Sequence, residues 1–257
     1  MSVGNSGANV RRAVVTGASS GIGAATVRRL RSSGWEVIAV ARRAQRLKEL
    51  ARETGAAVFA ADITIADDVA RLVEFVDEVG GAQALINNAG GALGVESVAE
   101  ADIDKWQRMY EVNVIGTLRL TREMLPMLRS SGRGDVVIVT STAAHDTYPG
   151  GGGYVAAKHA ERIIATTLRQ ELVGEPVRIM EIAPGMVHTE EFSLTRYGGD
   201  QTKADAVYEG VSEPLVAEDI ADVIEFMVSR PHHVNLDSVI VRPRAQATNT
   251  VVARTDM

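Results

Sequence analysis

The sequence predicts one α/β domain built on a doubly wound, seven-stranded parallel sheet with helices on both faces. Seven short apolar runs recur along the 257 residues, and amphipathic segments separate them. Near-continuous apolar runs are typical of strands that helices cover on both faces, and strict strand–helix alternation gives right-handed crossovers. The predicted strands cover residues 13–15, 37–40, 57–60, 84–86, 136–139, 177–182 and 238–241.

Helical spacing of apolar residues fills the intervals between these strands. Val69, Leu72 and Val76, for example, recur at three- and four-residue steps, which places them on one face of a helix. The predicted helices cover residues 22–33, 43–53, 67–79, 104–129, 153–172 and 217–229.

The chain is predicted to form one domain over residues 11–243, because no linker-like stretch divides it. We expect residues 1–10 to be a flexible N-terminus and residues 244–257 to be a poorly ordered tail, with arms at a subunit contact as the alternative. The polar segment 190–214 breaks the strand–helix rhythm after the sixth strand. An insertion of this length, at the edge where such sheets bind ligands, predicts a substrate lid.

Composition excludes several classes of function. With a net charge of −6 and no long basic run, the chain is not expected to bind nucleic acid. It contains no cysteine, so disulfides and cysteine-ligated zinc are excluded, and its five histidines lack the spacing of a metal site. No apolar run is long enough to span a bilayer, and residues 1–10 lack the apolar core of a signal peptide. We therefore expect a soluble cytoplasmic protein without a membrane partner.

A glycine-rich turn follows the first strand and opens the first helix. Residues 16–23 read Thr-Gly-Ala-Ser-Ser-Gly-Ile-Gly. Glycines allow a sharp turn close to a ligand, and a helix N-terminus offers N–H groups to a pyrophosphate. We therefore predict a dinucleotide site at this turn. Its spacing is Gly-x-x-x-Gly-x-Gly, which differs from the Gly-x-Gly-x-x-Gly fingerprint, and it lacks the Gly-Lys-Ser/Thr of a nucleoside triphosphate loop. Its predicted contacts are Gly17, Ser19, Ser20, Gly21, Ile22 and Gly23.

The end of the second strand indicates which dinucleotide binds. A carboxylate there holds the adenosine ribose of NAD(H), whereas an arginine attracts the 2′-phosphate of NADP(H). This chain has Arg42 and Arg43 and no carboxylate nearby. NADP(H) is therefore favoured over NAD(H), with Arg42 as the leading phosphate ligand and Arg43 and Ser19 as supports. For Arg43, a solvated helix residue is an equally good interpretation.

Two residues four apart carry the predicted acid–base chemistry. Tyr154 and Lys158 fall on one face of a predicted helix, so an ammonium lies close to a phenol and favours loss of its proton. Ser141 ends the fifth apolar run, thirteen residues before the tyrosine. A Tyr-x-x-x-Lys pair is common by chance, so its weight comes from the surrounding motifs.

With these motifs the chain resembles the short-chain dehydrogenase/reductase family, which has a Rossmann-type fold. The matching features are the turn at 16–23, Asp62, Asn87-Asn88-Ala89-Gly90, Asn113, Ser141, the Tyr154/Lys158 pair and Pro184-Gly185-Met186-Val187-His188-Thr189. Residues 181–193 and 231–235 look closest to the NADP-dependent 3-hydroxy acid (serine-type) dehydrogenases. The resemblance implies an oxidoreductase that interconverts a small alcohol and its carbonyl compound by hydride transfer, and a homotetramer.

The resemblance also implies roles for individual residues. Tyr154 donates the proton in carbonyl reduction and is the base in alcohol oxidation, while Lys158 favours the phenolate and holds the nicotinamide ribose. Ser141 hydrogen-bonds the substrate oxygen, and Asn113 fixes a water beside Lys158. The other implied coenzyme contacts are Asp62 and Ile63 at the adenine, Asn87, Ala89 and Gly90 at the adenosine ribose, Val187 and Thr189 at the nicotinamide carboxamide, and Pro184 and Gly185.

Three residues are predicted to contact the substrate. His145 and Tyr148 lie between Ser141 and Tyr154 in the sequence, and Arg196 is a basic residue of the predicted lid. A guanidinium can bind a carboxylate through two parallel hydrogen bonds, although a solvent-exposed loop arginine is an equally good interpretation.

Two other functions stay open at this point. A non-catalytic NADP(H)-binding module that senses redox state would be expected to lack Ser141, Tyr154 or Lys158, and all three are present. An epimerase or dehydratase that uses the coenzyme transiently would keep them all. Net absorbance change of the reduced nicotinamide during turnover separates such an enzyme from a dehydrogenase.

Overall fold

The computed structural model describes residues 11–255, so the expected flexibility of residues 1–10 lies outside the described part. The strands are β1 (Arg12–Thr16), β2 (Glu36–Ala41), β3 (Ala57–Ala60), β4 (Ala84–Asn87), β5 (Gly134–Val139), β6 (Val177–Pro184), β7 (Val187–His188), β8 (Leu215–Val216) and β9 (Ser238–Val241). The helices are α1 (Gly21–Ser32), α2 (Ala44–Thr54), α3 (Ala66–Glu78), α4 (Ile103–Tyr110), α5 (Thr117–Ser130), α6 (Gly152–Glu171), α7 (Phe192–Arg196), α8 (Gln201–Ala206) and α9 (Ala217–Ser229). None of the helices within 11–255 is long and apolar enough to cross a membrane.

Seven strands form one parallel sheet in the order β3-β2-β1-β4-β5-β6-β9. The chain runs outward from β1 to one edge, returns to place β4 beside β1, and then runs to the other edge. This arrangement confirms the predicted doubly wound sheet. The strand order reverses between β1 and β4, and ligands of such sheets bind at the carboxyl ends of the strands beside that reversal.

Alternate residues of the central strands face opposite helix layers. Val14 of β1 packs in one apolar cluster with Leu72 of α3 and Met124 of α5, whereas Val15 packs in another with Val27 of α1 and Ile224 of α9. All six are fully buried. Because both faces of the sheet are covered, the strands appear in the sequence as continuous apolar runs, and the predicted strand ends lie within two residues of the observed ones.

The helix predicted over residues 104–129 is interrupted by a π-helical turn, Glu111–Gly116, between α4 and α5. At its centre the buried Asn113 donates through Nδ2 to the carbonyl oxygens of Met109 (2.7 Å) and Gly91 (3.0 Å). A side-chain amide that binds the carbonyl four residues earlier competes with the backbone ladder of the helix. Apolar periodicity carries no signal of this competition, and so the sequence predicted an unbroken helix.

The segment 190–214, which the sequence analysis describes as polar, contains two short helices, α7 and α8. It begins and ends at a small second sheet, in which Val187 of β7 pairs with Leu215 of β8. The two ends of the segment therefore meet, and the segment stands beyond the carboxyl end of β6. The sequence missed this sheet because two-residue strands have no apolar period to detect.

Residues 244–255 pack against the domain, and the prediction of a poorly ordered tail is wrong for them. Gln246 is buried and accepts a hydrogen bond from the backbone of Met186 (2.8 Å). Asn249 accepts one from the hydroxyl of Thr142 (2.6 Å). The polar composition of this stretch suggested an exposed end, whereas its polar side chains form hydrogen bonds with the rest of the domain.

Candidate active site

A cavity of about 1020 Å³ opens at the carboxyl ends of β1 and β4, where the strand order reverses. Most of the residues predicted to bind coenzyme or substrate meet in its wall. They are Gly17, Ser19, Ser20, Gly21, Ile22, Arg42, Arg43, Asp62, Ile63, Ala89, Gly90, Ser141, Tyr148, Tyr154, Lys158, Pro184, Gly185, Val187, Thr189 and Arg196. Residues 246, 249, 250, 252 and 254 of the C-terminal segment also line it, and the sequence did not indicate them.

Two glycines of the turn are required by its geometry. Gly17 has φ of +64°, and a Cβ atom there would lie 2.7 Å from Nδ2 of Asn88. A Cβ atom on Gly23 would overlap the carbonyl oxygen of Gly17. Gly23 is outside the cavity wall and lets α1 approach the turn, and its contact with a dinucleotide stays a prediction.

The hydroxyl of Thr16 joins the ends of β1 and β4. Its Oγ1 accepts hydrogen bonds from the backbone N–H groups of Asn88 and Ala89, both at 2.9 Å. Asn88 returns a bond through Nδ2 to the carbonyl of Thr16 (2.9 Å). Three hydrogen bonds between the two strand ends therefore hold the crevice in which the cavity lies.

Asn87 points away from the cavity. Its side chain is buried, and Nδ2 donates to the hydroxyl of Thr121 on α5 (2.9 Å). The structure therefore does not bring the side chain of Asn87 to the cavity, where the neighbouring Asn88 lies, and its contact with the adenosine ribose stays a prediction. Asn87 instead braces β4 against α5. Successive strand residues face opposite sides, so a motif of two adjacent asparagines does not reveal which one faces the ligand.

The two arginines after β2 differ in their surroundings. Arg42 is exposed, and its Nη1 lies 3.8 Å from a carboxylate oxygen of Asp62. Arg43 donates through Nη1 and Nη2 to the two carboxylate oxygens of Glu191, at 2.6 and 2.7 Å. Nη2 of Arg43 also bonds the hydroxyl of Ser19 (2.7 Å). Arg43 is therefore the more firmly held of the two, although the sequence favoured Arg42.

Glu191 connects the segment 190–214 to the glycine turn. Besides Arg43, it accepts a hydrogen bond from the hydroxyl of Ser20 (2.8 Å), at the start of α1. The hydrogen bonds from Arg43 hold the pKa of Glu191 below its usual value. A carboxylate thus occupies an anion-binding position that Ser20 and Arg43 build. The sequence offered no signal for this contact, because the two charged residues lie 148 positions apart.

Tyr154 and Lys158 lie one turn apart on α6, and both are buried. Nζ of Lys158 is 5.9 Å from the centre of the Tyr154 ring. Burial raises the pKa of Tyr154 above its usual value, and the charge of Lys158 and a hydrogen bond with Ser141 oppose this increase. The sequence predicted that the Lys158 ammonium favours loss of the phenolic proton. In the structure the effect of burial outweighs that of the ammonium.

The ammonium of Lys158 has two close acceptors. Nζ donates to the carbonyl of Val139 at the end of β5 (3.1 Å) and to Oε2 of Glu161 (2.6 Å). Desolvation lowers the pKa of Lys158, but the charge of Glu161 and the adjacent Tyr154 outweigh it, so the pKa is raised. The sequence analysis did not identify Glu161, which is 1% exposed. Its spacing of three residues from Lys158 is the only signal that could have indicated it.

Asn113 lies behind the cavity wall, next to the loop that follows β4. Its Oδ1 accepts a hydrogen bond from the N–H of Gly91 (3.1 Å). A Cβ atom on Gly90 would overlap that Oδ1 and lie 3.3 Å from Nζ of Lys158. Gly90 therefore allows the loop to pass close to both side chains. The water expected beside Lys158 stays a prediction.

The predicted substrate residues divide into two groups. Tyr148 and Arg196 line the cavity and bond to each other, from Nη1 of Arg196 to the Tyr148 hydroxyl at 3.0 Å. His145 does not line it, because its Nε2 lies 2.9 Å from the buried carboxylate of Glu181. The structure therefore does not place His145 with the other two, and its substrate contact stays a prediction.

The helix α7 brings two side chains over the tyrosine. The ring of Phe192 meets the ring of Tyr154 edge-on, with 5.7 Å between centres. Cζ of Arg196 is 6.0 Å from the centre of the Tyr154 ring. The segment 190–214 therefore contacts both the glycine turn, through Glu191, and the tyrosine. Within residues 11–255 no three His, Asp or Glu side chains are grouped to hold a metal ion.

Residues 11–196 match the family model described as short chain dehydrogenase. The chain belongs to the short-chain dehydrogenase/reductase family and is an oxidoreductase. It is 54% identical over 242 residues to an uncharacterized oxidoreductase of Mycobacterium tuberculosis, with 94% of each chain covered. It is 41% identical over 237 residues to a serine 3-dehydrogenase of Agrobacterium fabrum, with 91% of this chain and 94% of the relative covered.

A solved structure of similar shape carries a related name. It is described as the closed form of serine dehydrogenase complexed with NADP+, and superposes with a TM-score of 0.89 at 32% identity. The match covers 95% of this chain and all of the other. The resemblance to serine-type dehydrogenases that the sequence predicted is confirmed by these relatives.

The Thr16 hydroxyl provides a test of how the cavity is held open. Thr16→Val leaves the N–H groups of Asn88 and Ala89 without their acceptor, so we expect the free energy of unfolding to fall by about 1–3 kcal/mol. Urea unfolding at one fixed protein concentration measures this loss. Thr16→Ser keeps the hydroxyl and is expected to lose no more than about 1 kcal/mol. Equal losses in both variants would show that the hydroxyl is not the stabilising group.

Proposed function

We propose that this enzyme transfers hydride between NADP(H) and the carbinol carbon of a small hydroxy acid, with Tyr154 as acid and base. The single observation that carries the proposal is the composition of one cavity wall. It joins an anion-binding glycine turn, a buried Tyr154/Lys158 pair and a guanidinium above the tyrosine. This wall could hold a dinucleotide, move a proton and orient an acidic substrate.

The residues present fit a dinucleotide with a 2′-phosphate. The turn has no room for side chains at Gly17 and Gly23, as a site for close approach of a pyrophosphate requires. Ser20 and Arg43 already hold the carboxylate of Glu191, and Arg43 also donates to the hydroxyl of Ser19. These donors suit the phosphate next to the adenosine equally well. Bound NADPH supplies the hydride, and the protein supplies position and charge.

Tyr154 is the group that exchanges a proton with the substrate oxygen. When the carbonyl carbon of the substrate accepts hydride, the carbonyl oxygen becomes negatively charged and takes the proton of the Tyr154 phenol. The nearby Lys158 ammonium stabilises the phenolate that remains. Ser141 contacts the Tyr154 hydroxyl and lines the same cavity, so it can hydrogen-bond the same substrate oxygen. Burial raises the pKa of the Tyr154 phenol, so its action as a base requires the Lys158 ammonium and the positive charge of an oxidised nicotinamide to lower that pKa together.

Arg196 supports an acidic substrate. Its guanidinium is held by Tyr148 and by the carbonyls of Gly94 and Gly150, at 3.0 to 3.3 Å. None of these three partners is a carboxylate, so the positive charge is left for a ligand in the cavity. A serine or another 3-hydroxy acid carries its carboxylate two bonds from the carbinol carbon. The names of the serine dehydrogenase relatives agree with this substrate class.

The phenol is tested by Tyr154→Phe, which removes the transferable proton and little volume. We expect turnover of a 3-hydroxy acid with NADP+ to fall at least about 1000-fold, while the Kd for NADPH changes little. Absorbance of the reduced nicotinamide measures turnover, and fluorescence titration measures the Kd. Lys158→Met is expected to damage both quantities. Turnover of Tyr154→Phe close to that of the wild type would refute the role. Turnover without net absorbance change in the wild type would instead indicate an epimerase.

The substrate class is tested by Arg196→Ala. Loss of a charge-assisted contact worth about 1.5–3 kcal/mol is expected to lower kcat/KM for a 3-oxo acid by about 10- to 100-fold. A neutral ketone of the same length is the matched substrate, and its kcat/KM is expected to change less than about threefold. Equal losses for both compounds would mean that Arg196 only shapes the cavity. No loss for any acidic substrate would remove Arg196 from the site.

The coenzyme preference is tested by Glu191→Gln. Removal of this carboxylate frees Arg43 for the 2′-phosphate, so we expect NADPH to bind about two- to fivefold more tightly, the value of one exposed ion pair. NADH, which lacks that phosphate, is expected to gain less. Calorimetric titration with both coenzymes measures the difference, and Glu190→Gln, an exposed neighbour of like charge, is the control. Weaker or unchanged NADPH binding would contradict the assignment of Arg43 to the phosphate.

A further inference from the structure

A second ionic group is buried beside Lys158 on the same helix. The carboxylate of Glu161 accepts hydrogen bonds from Nζ of Lys158 (2.6 Å) and, at its other oxygen, from the hydroxyl of Thr117 on α5 (3.3 Å). Its side chain is 1% exposed. Burial of an unpaired carboxylate destabilises the fold by several kcal/mol. Glu161 can therefore be buried here only because the Lys158 ammonium lies one turn earlier on the helix.

We propose that Glu161 is a positioning residue of the active site, which orients the Lys158 ammonium and sets the pH at which Tyr154 acts as base. This proposal rests on the proposed roles of Tyr154 and Lys158. It goes beyond them because it assigns part of the acid–base control to a carboxylate outside the cavity wall.

The hydrogen bonds of Lys158 explain the orienting role. An ammonium has three N–H donors, and two of them go to the Val139 carbonyl and to Glu161. These two acceptors fix the direction of Nζ. One donor is left for a hydroxyl of the nicotinamide ribose, the contact that the proposed function requires. Without Glu161, the four-carbon side chain of Lys158 would have a single fixed acceptor.

Charged and titratable groups face Glu161 from the elements packed around it. Lys158 and Tyr154 lie on its own helix, and Thr117 faces it from α5. From β6 comes the buried Glu181, whose charge also raises the pKa of Glu161. Glu181 is itself surrounded by donors: Thr140 at 2.7 Å, Ser238 at 2.8 Å, His145 at 2.9 Å and Nε of Arg162 at 3.8 Å.

The charge of Glu161 opposes that of Lys158 at the phenol. Burial raises the pKa of Glu161 to about 7, against the lowering effects of Lys158 and Thr117. Below that pH the protonated carboxyl leaves the Lys158 charge unopposed. Above it, the carboxylate is charged and raises the pKa of Tyr154. Because these groups titrate as a coupled set, the pH profile of alcohol oxidation reports on all three.

The test is the pH profile of kcat for Glu161→Gln, a substitution that keeps the shape of the side chain and removes its charge. We expect the rise of kcat for oxidation of a 3-hydroxy acid to move to lower pH by up to about one unit. The Kd for NADP+ is expected to stay within about threefold, since an amide oxygen still accepts from Lys158. An unchanged or upward-shifted profile in a stably folded variant would overturn the proposal.

Two controls separate this proposal from the others. Glu171→Gln removes an exposed carboxylate from the same helix and is expected to leave the profile unchanged. If Tyr154→Phe is inactive while Glu161→Gln keeps the wild-type profile, only the role of Glu161 fails. If Tyr154→Phe remains active, the proposed function fails first.

A measurement on the unmodified protein covers the case in which Glu161→Gln does not fold. Carbon-13 labelling of glutamate carboxyl groups allows each to be titrated by NMR. We expect one buried glutamate to titrate between about pH 6 and 8 and its signal to move when NADP+ binds. If no glutamate titrates in that range, the proposal is wrong.

Discussion

The buried ammonium of Lys158 is the constraint on which the active site depends. A charge removed from water needs acceptors at fixed positions, and two separate elements provide them. The end of β5 provides the Val139 carbonyl and α6 provides Glu161. Because Gly90 has no side chain, the loop after β4 passes close to Nζ without displacing it. The π-helical turn around Asn113 holds that loop from behind. These contacts together hold the Lys158 ammonium close to the phenol of Tyr154.

The segment 190–214 joins the two halves of the cavity. At one end Glu191 reaches the glycine turn and Arg43, and in α7 Phe192 and Arg196 lie against Tyr154. A ligand that displaces the carboxylate of Glu191 would therefore act on the same short stretch of chain that covers the tyrosine. The proposed coenzyme contact and the proposed substrate contact are therefore close together along this segment.

Much of the fold and site could be predicted because their signals are local. Buried parallel strands are continuous apolar runs, and the motif residues Gly17, Ser141, Tyr154 and Lys158 are recognisable by spacing. The missed features arise from contacts across long sequence separations or from side-chain competition with backbone. Glu191 meets Arg43 only after folding, and the C-terminal segment is held by hydrogen bonds to residues distant in sequence, such as Met186 and Thr142. The family resemblance assigns Asn87 to the coenzyme, and the position of His145 in the sequence assigns it to the substrate. The direction of each side chain is instead set by its tertiary partner.

The central claim is that the Tyr154 phenol and the Lys158 ammonium act together on a nicotinamide held in this cavity. A crystal structure of the enzyme with NADP+ tests it most directly. We expect Nζ of Lys158 to keep its bond to the Val139 carbonyl while donating to a nicotinamide ribose hydroxyl, with the Tyr154 hydroxyl beside the reactive carbon of the ring. A coenzyme whose nicotinamide lies outside the cavity, or whose ribose leaves the ammonium bound only to protein, would contradict the account.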